Sequence, residues 1–133
     1  MQVTDNITEL LLKVLKFTKI RHKIINENIN NIDNPGYTPK DLPVEQFSEI
    51  LNEALSEHLC NNRLILADTN TIKFKANGKF EIVAVEDAKA VKLLRTSRDK
   101  YLEMQINKLM ENTLNRKLTS QLLTQKQQIK LTE

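Results

Sequence analysis

The sequence contains little glycine, proline, cysteine or aromatic residue, and these shortages exclude several classes of protein. Its 133 residues include two glycines, three prolines, one cysteine and no tryptophan. One cysteine cannot form an intramolecular disulfide, and two isolated glycines cannot form a glycine-rich phosphate-binding loop. No apolar run approaches the length that crosses a bilayer, and the N-terminus lacks the basic and apolar segments of a cleavable signal peptide. We therefore expect neither membrane insertion nor signal cleavage.

Charged residues of both signs are interspersed along the whole chain. Lysine and arginine number 20 against 17 acidic residues, which gives a formal net charge of +3. Nucleic-acid binders usually concentrate their basic residues in one stripe or cluster, and no such cluster occurs here. The sequence predicts no nucleic-acid partner.

The residues that could perform catalysis or bind a metal are isolated from one another. One cysteine and two separated histidines, His22 and His58, do not supply the ligand set of a zinc site. A solvent-exposed helix face, rather than a catalytic carboxylate pair, is indicated by four glutamates at intervals of four: Glu45, Glu49, Glu53 and Glu57. We predict that the protein is not an enzyme and has no cofactor or metal.

Apolar residues three and four positions apart predict helices in a single domain that spans residues 1–133. The predicted helices cover residues 5–31, 44–61 and 87–131. Thr4 or Asp5 can cap the first helix. Alternating β-formers around Asn77-Gly78 predict a hairpin over residues 71–85. The predicted fold class is mainly α: two long terminal helices pairing antiparallel, a short middle helix and a small β-hairpin.

The terminal helices carry more apolar residues than one partner helix can cover. We expect the additional apolar residues to contact other subunits, because each apolar face of a helix is normally buried against a neighbour. From this spacing, the expected helix-interface residues are Leu11, Val14, Leu15, Ile25, Ile106, Leu109, Leu114 and Leu118.

All three prolines lie in a corner between the first two helices, residues 32–43. Pro35 stops the helix, and Gly36 is expected to adopt a positive φ in the turn that follows. Asn28 and Asn31, just before the corner, have two interpretations that spacing leaves open. They are residues that end a helix, or their amide hydrogen bonds fix the register of the corner and the next subunit.

Residues 28–37 resemble the N-terminal signature of the flagellar rod and hook protein family, Asn-[Ile/Leu/Val]-Ala-Asn-x-x-Thr-Pro-Gly-[Tyr/Phe]. The matching positions are Asn28, Ile29, Asn31, Pro35, Gly36 and Tyr37. Asn30 and Asn34 depart from the usual Ala and Thr. Residues 40–42, Lys-Asp-Leu, are similar to the continuation typical of proximal rod proteins of the FlgB type within that family.

The C-terminal part carries a second resemblance. Residues 108–114, Lys-Leu-Met-Glu-Asn-Thr-Leu, are similar to the Lys-Met-Ala-Glu-Asn-Ser-Leu pattern of the same proximal rod proteins. Together the two resemblances cover about residues 5–45 and 100–131. They add Glu111 and Asn112 to the expected helix interface. The assembly residues that they imply around the corner are Asn28, Asn31, Asp33, Pro35, Gly36, Tyr37 and Asp41.

The resemblance implies a structural subunit of the bacterial flagellar basal-body rod. Such a subunit would be exported by the flagellar type III apparatus without a cleaved signal and would reside in the periplasmic rod. The partners it implies are other copies of the chain, other rod proteins, the adaptor FliE and export-gate proteins. Two alternatives remain: another rod or hook-family subunit (FlgC-like or distal rod), and an intracellular helical adaptor or chaperone that binds partner helices.

Overall fold

The computed structural model describes residues 5–76 and 79–132. The predicted fold class is confirmed: the chain is mainly helical, with long terminal helices, a shorter helix between them and a small antiparallel hairpin. The helices are α1 (Asn6–Asn30), α2 (Val44–Asn61), α3 (Ala88–Thr96) and α4 (Arg98–Thr132). The strands are β1 (Lys40–Asp41), β2 (Ile72–Phe74), β3 (Phe80–Ile82) and β4 (Val85–Glu86).

α1 lies within one residue of its predicted bounds because polar side chains cap both of its ends. Asp5 Oδ1 accepts a hydrogen bond from Thr8 N at 2.7 Å, which satisfies an N–H left free in the first turn. At the other end, Asn31 Nδ2 donates to Glu27 O at 2.8 Å, which satisfies a carbonyl of the last turn.

α2 covers the predicted range and ends at a residue in the left-handed conformation. Asn62 has a φ of 53°, and its N–H donates to His58 O at 2.9 Å. Asparagine is among the few residues that adopt this conformation at low cost, so its position explains where the helix stops.

α1 and α4 pack against each other in antiparallel orientation, as predicted. Residue numbers rise along α4 as they fall along α1 in three contacts: Tyr101 with Asn28, Asn112 with Thr18, and Lys126 with Asp5. At 1.5 Å per residue, α1 is about 38 Å long and α4 is about 52 Å long. The two terminal helices are therefore the longest of the described elements.

The prediction of one continuous helix over residues 87–131 is wrong. Ser97 has extended backbone dihedrals, with φ −155° and ψ 98°, and separates α3 from α4. Its N–H donates to Leu93 O at 2.8 Å, while its Oγ accepts from Lys100 N at 3.3 Å. Serine favours such local side-chain bonds over a helix interior, so the helix breaks without glycine or proline.

The hydrophobic core lies between α1, α2 and the β2–β3 hairpin rather than between the two terminal helices. It consists of Phe17, Leu42, Phe47, Ile50, Ile72 and Phe80. The chain's four phenylalanines form one stack, because Phe17 and Phe47 have ring centroids 4.1 Å apart, and Phe80 is within 6.1 Å of Phe47 and 5.6 Å of Phe74. Among the described residues, no residue of α4 belongs to this cluster or packs against it.

The two strands of the predicted hairpin are confirmed, but they span residues 72–82 rather than 71–85. β2 and β3 pair antiparallel, with Ile72 opposite Ile82, and the turn at Asn77-Gly78 lies outside the described residues. Val85 does not belong to the hairpin. It lies opposite Asp41 in a second, two-stranded ladder of β1 and β4, which ties the corner to the segment before α3.

Candidate functional site

The turn of the corner is closed by Asn34. Its carbonyl accepts a hydrogen bond from Tyr37 N at 3.1 Å, and its Oδ1 accepts from Gly36 N at 3.2 Å. The predicted positive φ at Gly36 is wrong, because the φ of Gly36 lies outside the left-handed region. A Cβ on Gly36 would have Asn34 Oδ1 as its nearest neighbour, at an ordinary 3.7 Å. Nothing in the isolated chain requires glycine here.

We therefore expect Gly36→Ala to change the free energy of unfolding by no more than about 0.5 kcal/mol, because the position is exposed and unstrained. Urea unfolding followed by circular dichroism measures the change. The control is Asn62→Ala, which is expected to cost about 1 kcal/mol because alanine resists the left-handed conformation. A Gly36→Ala variant that is less stable than Asn62→Ala would contradict this account of the corner.

Asn28 holds the corner against α1 with every polar atom of its side chain. Its Nδ2 donates to Lys40 O at 2.7 Å and to Gln105 Oε1 at 3.0 Å. Its Oδ1 accepts from Tyr37 Oη at 2.7 Å and from Lys40 N at 3.2 Å. The amide thus bonds both backbone groups of Lys40, as a neighbouring strand would. Only 1% of Asn28 is exposed, so the side chain acts inside the subunit.

The backbone of Asn28 also binds α4. Its carbonyl accepts a hydrogen bond at 2.8 Å from Tyr101 Oη, and Tyr101 is fully buried. Burial, with smaller contributions from Tyr37 and Asp87, raises the pKa of Tyr101 to about 12. One asparagine therefore joins α1, the corner and the start of α4.

A buried charge cluster lies next to Asn28 along the same helices. Arg21 donates two hydrogen bonds to the Asp41 carboxylate, at 3.0 and 3.1 Å. Lys108 Nζ bridges Asp41 and Asp87, with both distances at 2.7 Å. The cluster connects α1, β1, α4 and the cap of α3, since Asp87 also accepts from Ala90 N. Close opposite charges of this kind offset the cost of burying each ion.

The cluster shifts the pKa of its members. Burial alone would raise the pKa of Asp41, but hydrogen bonds from Arg21 and Lys108 outweigh it and hold the pKa below the ordinary value. Burial would likewise lower the pKa of Lys108, but its bonds to Asp41 and Asp87 raise it above the ordinary value. Asp41 and Lys108 are therefore both charged at neutral pH.

These shifts predict a stability plateau from about pH 5 to about pH 9. The depressed pKa of Asp41 gives a contribution that is complete above about pH 4 and is lost as the pH falls through the folded-state pKa. The raised pKa values of Lys108 and Tyr101 give contributions that are complete below about pH 10 and are lost as the pH rises. Urea midpoints measured from about pH 3 to about pH 11 cover the plateau and both losses of stability. A midpoint that rises on acidification below about pH 4 would exclude the proposed role of Asp41.

The residues that join α1 to α4 form what we call the polar seam. It consists of Thr18, Arg21 and Asn28 on α1, and Tyr101, Gln105, Lys108 and Asn112 on α4. Asn112 Nδ2 donates to the Thr18 carbonyl at 2.8 Å. Gln105 Nε2 is buried and has no hydrogen-bond partner within the described residues. Ile25, predicted at the interface and fully buried, is the apolar member of α1 between these groups.

The remaining predicted corner residues lie at the surface. Asp33 pairs with Arg98 at 2.6 Å, and both side chains are exposed. Asn31 caps α1 through Glu27 O, which supports the helix-ending interpretation. Pro35 and Gly36 are exposed. The structure thus gathers buried Asn28, half-buried Tyr37 and buried Asp41 into one site and leaves the other corner residues outside it.

The predicted helix-interface residues divide into two groups. Leu11, Val14, Leu15 and Leu109 are half-buried, Asn112 is buried, and Glu111 is exposed with a carboxylate oxygen 3.6 Å from Arg21 Nη1. The others continue a line of side chains on the outer surface of α4 that we call the apolar row: Ile106, Met110, Leu114, Leu118 and Leu122. These five are between 41% and 65% exposed. Exposed apolar side chains in a line of this length are typical of a contact surface.

An open groove lies beside the apolar row, over α1 and between α2 and the C-terminal half of α4. Its volume is about 220 Å³. The apolar lining comprises Val14 and Phe17 of α1, Val44, Phe47 and Leu51 of α2, and Leu118 and Leu122 of α4. The last two residues belong to both surfaces, so groove and row are continuous.

Sequence reasoning gave no site role to Tyr101, Gln105, Lys108 and Asp87. A signal was present for three of them, because Tyr101, Gln105 and Lys108 precede Asn112 at intervals of four, three and four. Residues at these intervals lie on one face of a helix, so they can meet the same neighbouring element. Asp87 carried no such signal, since only the tertiary fold brings it to Lys108.

The fold and this site define a helical protein whose polar residues fix its internal geometry and whose apolar row faces outward. Within the described residues, no helix is long and apolar enough to cross a membrane. In the same ranges, no group of three or more histidine, cysteine or acidic side chains is arranged to hold a metal ion. No protein-family model, curated protein or solved structure matches the chain.

Proposed function

We propose that the protein is a structural, non-enzymatic subunit of the flagellar basal-body rod that assembles through its terminal helices. The observation that carries this proposal is the apolar row, which α1 leaves uncovered over 106–122. Burial of apolar surface contributes about 25 cal/mol per Å². A subunit that leaves five large apolar side chains exposed therefore gains stability from neighbours that cover them.

The polar seam also supports the proposal, because it brings together the two segments that resemble rod proteins. The two segments that resemble proximal rod proteins, residues 28–42 and 108–114, are far apart in sequence. In the fold they are in contact, because Lys108 bonds Asp41 and Asn112 bonds α1 one helix turn from Arg21. Residues shared with a family signature thus have a common physical task, which is to fix the corner and α4 on α1.

In this proposal the subunit resides in the periplasmic rod, next to other rod proteins, with the adaptor FliE and the export gate below it. The subunit contacts neighbours through a non-closing arrangement, which generates a helical filament rather than a ring. The groove would also suit an adaptor or chaperone that binds one partner helix. That second function requires a different chain as the occupant, whereas the rod proposal requires copies of this chain or of other rod proteins.

The test replaces Met110 and Leu114 by glutamate and follows self-association by sedimentation velocity. We expect at least about tenfold weaker association, because each substitution removes apolar burial that is worth about 1.5–3 kcal/mol. The helix content should not change, since both side chains are exposed. The matched control is Ser120→Glu with Gln121→Glu, which adds the same charge to exposed polar positions of α4.

A second experiment, in cells, tests whether the chain is part of the flagellum. Deletion of its gene in the source organism should abolish swimming, the wild-type gene should restore it, and the Met110/Leu114 variant should not. Purified basal bodies should contain the wild-type chain. Motile cells after deletion, or basal bodies without the chain, would exclude the rod function even if the purified protein self-associates.

A further inference from the structure

Charges of a single sign occur on two of the four helices, α2 and α3. α2 contains four glutamates and no lysine or arginine. α3 contains Lys89, Lys92 and Arg95 and no acidic residue, whereas α1 and α4 each carry both signs. The chain therefore has one acidic helix and one basic helix.

Six of these seven charged side chains are exposed and form no ion pair among residues 5–76 and 79–132. The seventh, Glu57, is paired with Arg63 at 2.6 Å. Like charges three or four positions apart on a helix repel each other, and a partner surface of opposite charge offsets that repulsion. The six form what we call the acidic face of α2 (Glu45, Glu49 and Glu53) and the basic face of α3 (Lys89, Lys92 and Arg95).

Apolar side chains lie beside both charged faces. A cavity of about 380 Å³ separates α3 from the corner, and Arg95 of the basic face lines it together with Val91 and Leu94. On α2, the turns that follow the acidic face carry Leu55 and Leu59, which are 40% and 73% exposed. A contact between the two faces therefore has apolar area to bury as well as opposite charges to pair.

The two faces lie at different heights along α1. α2 contacts α1 from Asn6 to Phe17, through a hydrogen bond at 3.1 Å and a stacked ring pair. α3 begins near Arg21, which shares the charge cluster with the cap of α3, and ends near Asp33, which pairs with the first residue of α4. The centres of these two ranges are roughly 20 Å apart along the axis of α1, at 1.5 Å per residue.

We infer that the acidic face of one copy binds the basic face of the next copy, so that copies join head to tail. Charge selects this pairing, because two acidic faces or two basic faces repel each other. In equally oriented copies, the difference in height displaces each added copy along α1 by roughly 20 Å. Every addition leaves one acidic and one basic face open, so the contact repeats without closing.

This inference rests on the proposed function, since it names the neighbour and the two faces for one contact of a subunit that assembles. A shaft of equally oriented subunits needs two unlike surfaces on each copy, and the acidic and basic faces are such a pair. Neither face includes a residue of the apolar row, so the row remains available for a separate contact between subunits.

Two reversal variants test the contact. The first carries Glu49→Lys and Glu53→Lys, which makes the acidic face basic. The second carries Lys92→Glu and Arg95→Glu, which makes the basic face acidic. We expect each variant alone to self-associate at least about tenfold more weakly than the wild-type chain, because like charges then meet at every contact.

Mixtures of these proteins test which faces meet. An equimolar mixture of the two variants should associate to within about threefold of wild type, because each reversed face then meets an opposite charge. Such recovery also shows that both variants are folded. The first variant, added to excess wild-type chain, should shorten the assemblies, because its basic face still binds whereas its reversed face does not.

Sedimentation velocity at low and moderate salt measures all samples, and sedimentation coefficients of the wild-type chain should continue to rise beyond the dimer as its concentration increases. The matched control is Lys19→Glu with Lys23→Glu, which makes the same change of net charge at two exposed positions of α1. It should associate to within about threefold of wild type, because neither lysine belongs to a charged face.

Four outcomes would each overturn the inference. They are unchanged association in both reversal variants, a mixture that associates no better than either variant alone, a wild-type chain that stays monomeric, and growth that stops at a dimer.

The results also separate this inference from the proposed function. Association that depends on Met110 and Leu114 but is insensitive to the reversal of either face would remove the head-to-tail contact and leave the subunit proposal standing. Charge-dependent assembly of a chain whose deletion leaves cells motile would support the contact and remove the rod function.

Discussion

Replacement of Asn28 by alanine is expected to lower the free energy of unfolding by about 3 kcal/mol or more. The substitution removes four side-chain hydrogen bonds at a position that is 1% exposed. It also leaves the N–H and carbonyl of Lys40 and the hydroxyl of Tyr37 without their partner. Each buried polar group left unpaired costs about 1–3 kcal/mol. Urea unfolding followed by circular dichroism measures the loss.

The matched control for Asn28 is the nearby Asn31. Asn31→Ala removes one capping bond, from Nδ2 to Glu27 O, and is expected to cost about 0.5–1 kcal/mol. Asn28→Asp should also be unstable, because the donors to Lys40 O and Gln105 Oε1 are replaced by an acceptor. If Asn28→Ala and Asn31→Ala have equal unfolding free energies, Asn28 does not hold the corner.

Asp41→Ala is the second substitution with a large expected effect. It leaves buried Arg21 and half-buried Lys108 without the carboxylate that both contact. Removal of one member of a buried ion cluster costs about 3–5 kcal/mol, because the remaining charges are uncompensated. Lys108 retains Asp87 at 2.7 Å, and Arg21 retains Glu111 at 3.6 Å, so the loss should lie in the lower part of that range.

A combined variant separates the need for charge from the need for packing. Arg21→Met with Asp41→Leu and Lys108→Met replaces three of the four charged members by apolar side chains of similar size, which often restores stability, and leaves Asp87 with its hydrogen bond from Ala90 N. We expect this variant to be more stable than Asp41→Ala alone. The surface control is Asp33→Ala, which should have little effect because its ion pair with Arg98 is exposed. An Asp41→Ala variant no less stable than Asp33→Ala would contradict the role of the cluster.

The helices were predictable from local signals. α1 and α2 follow from apolar spacing and from end residues such as Asp5 and Pro43, which act within one helical turn. The break at Ser97 was not predictable from glycine or proline content. Serine breaks a helix only when its side chain caps the next one, and that choice depends on where α3 and α4 must lie.

The site was predictable only in part. Asn28, Tyr37, Asp41 and Asn112 were selected by resemblance, and the structure places the first three in one site with Asn112 on the same seam. Their contacts were not predictable, because Asp41 meets Lys108 across 67 positions of sequence. Such a contact depends on the antiparallel pairing and on its register. The location of the core was missed because the four phenylalanines lie in four different elements.

The polar seam fixes the position of α4 along α1. Helices joined only by leucines can slide by a turn and still match apolar groups with apolar groups. Here a slide of α4 by one turn, about 5.4 Å, would withdraw Lys108 from Asp41 and Asn112 from the Thr18 carbonyl. Every copy therefore displays Met110 and Leu114 at the same height above its corner.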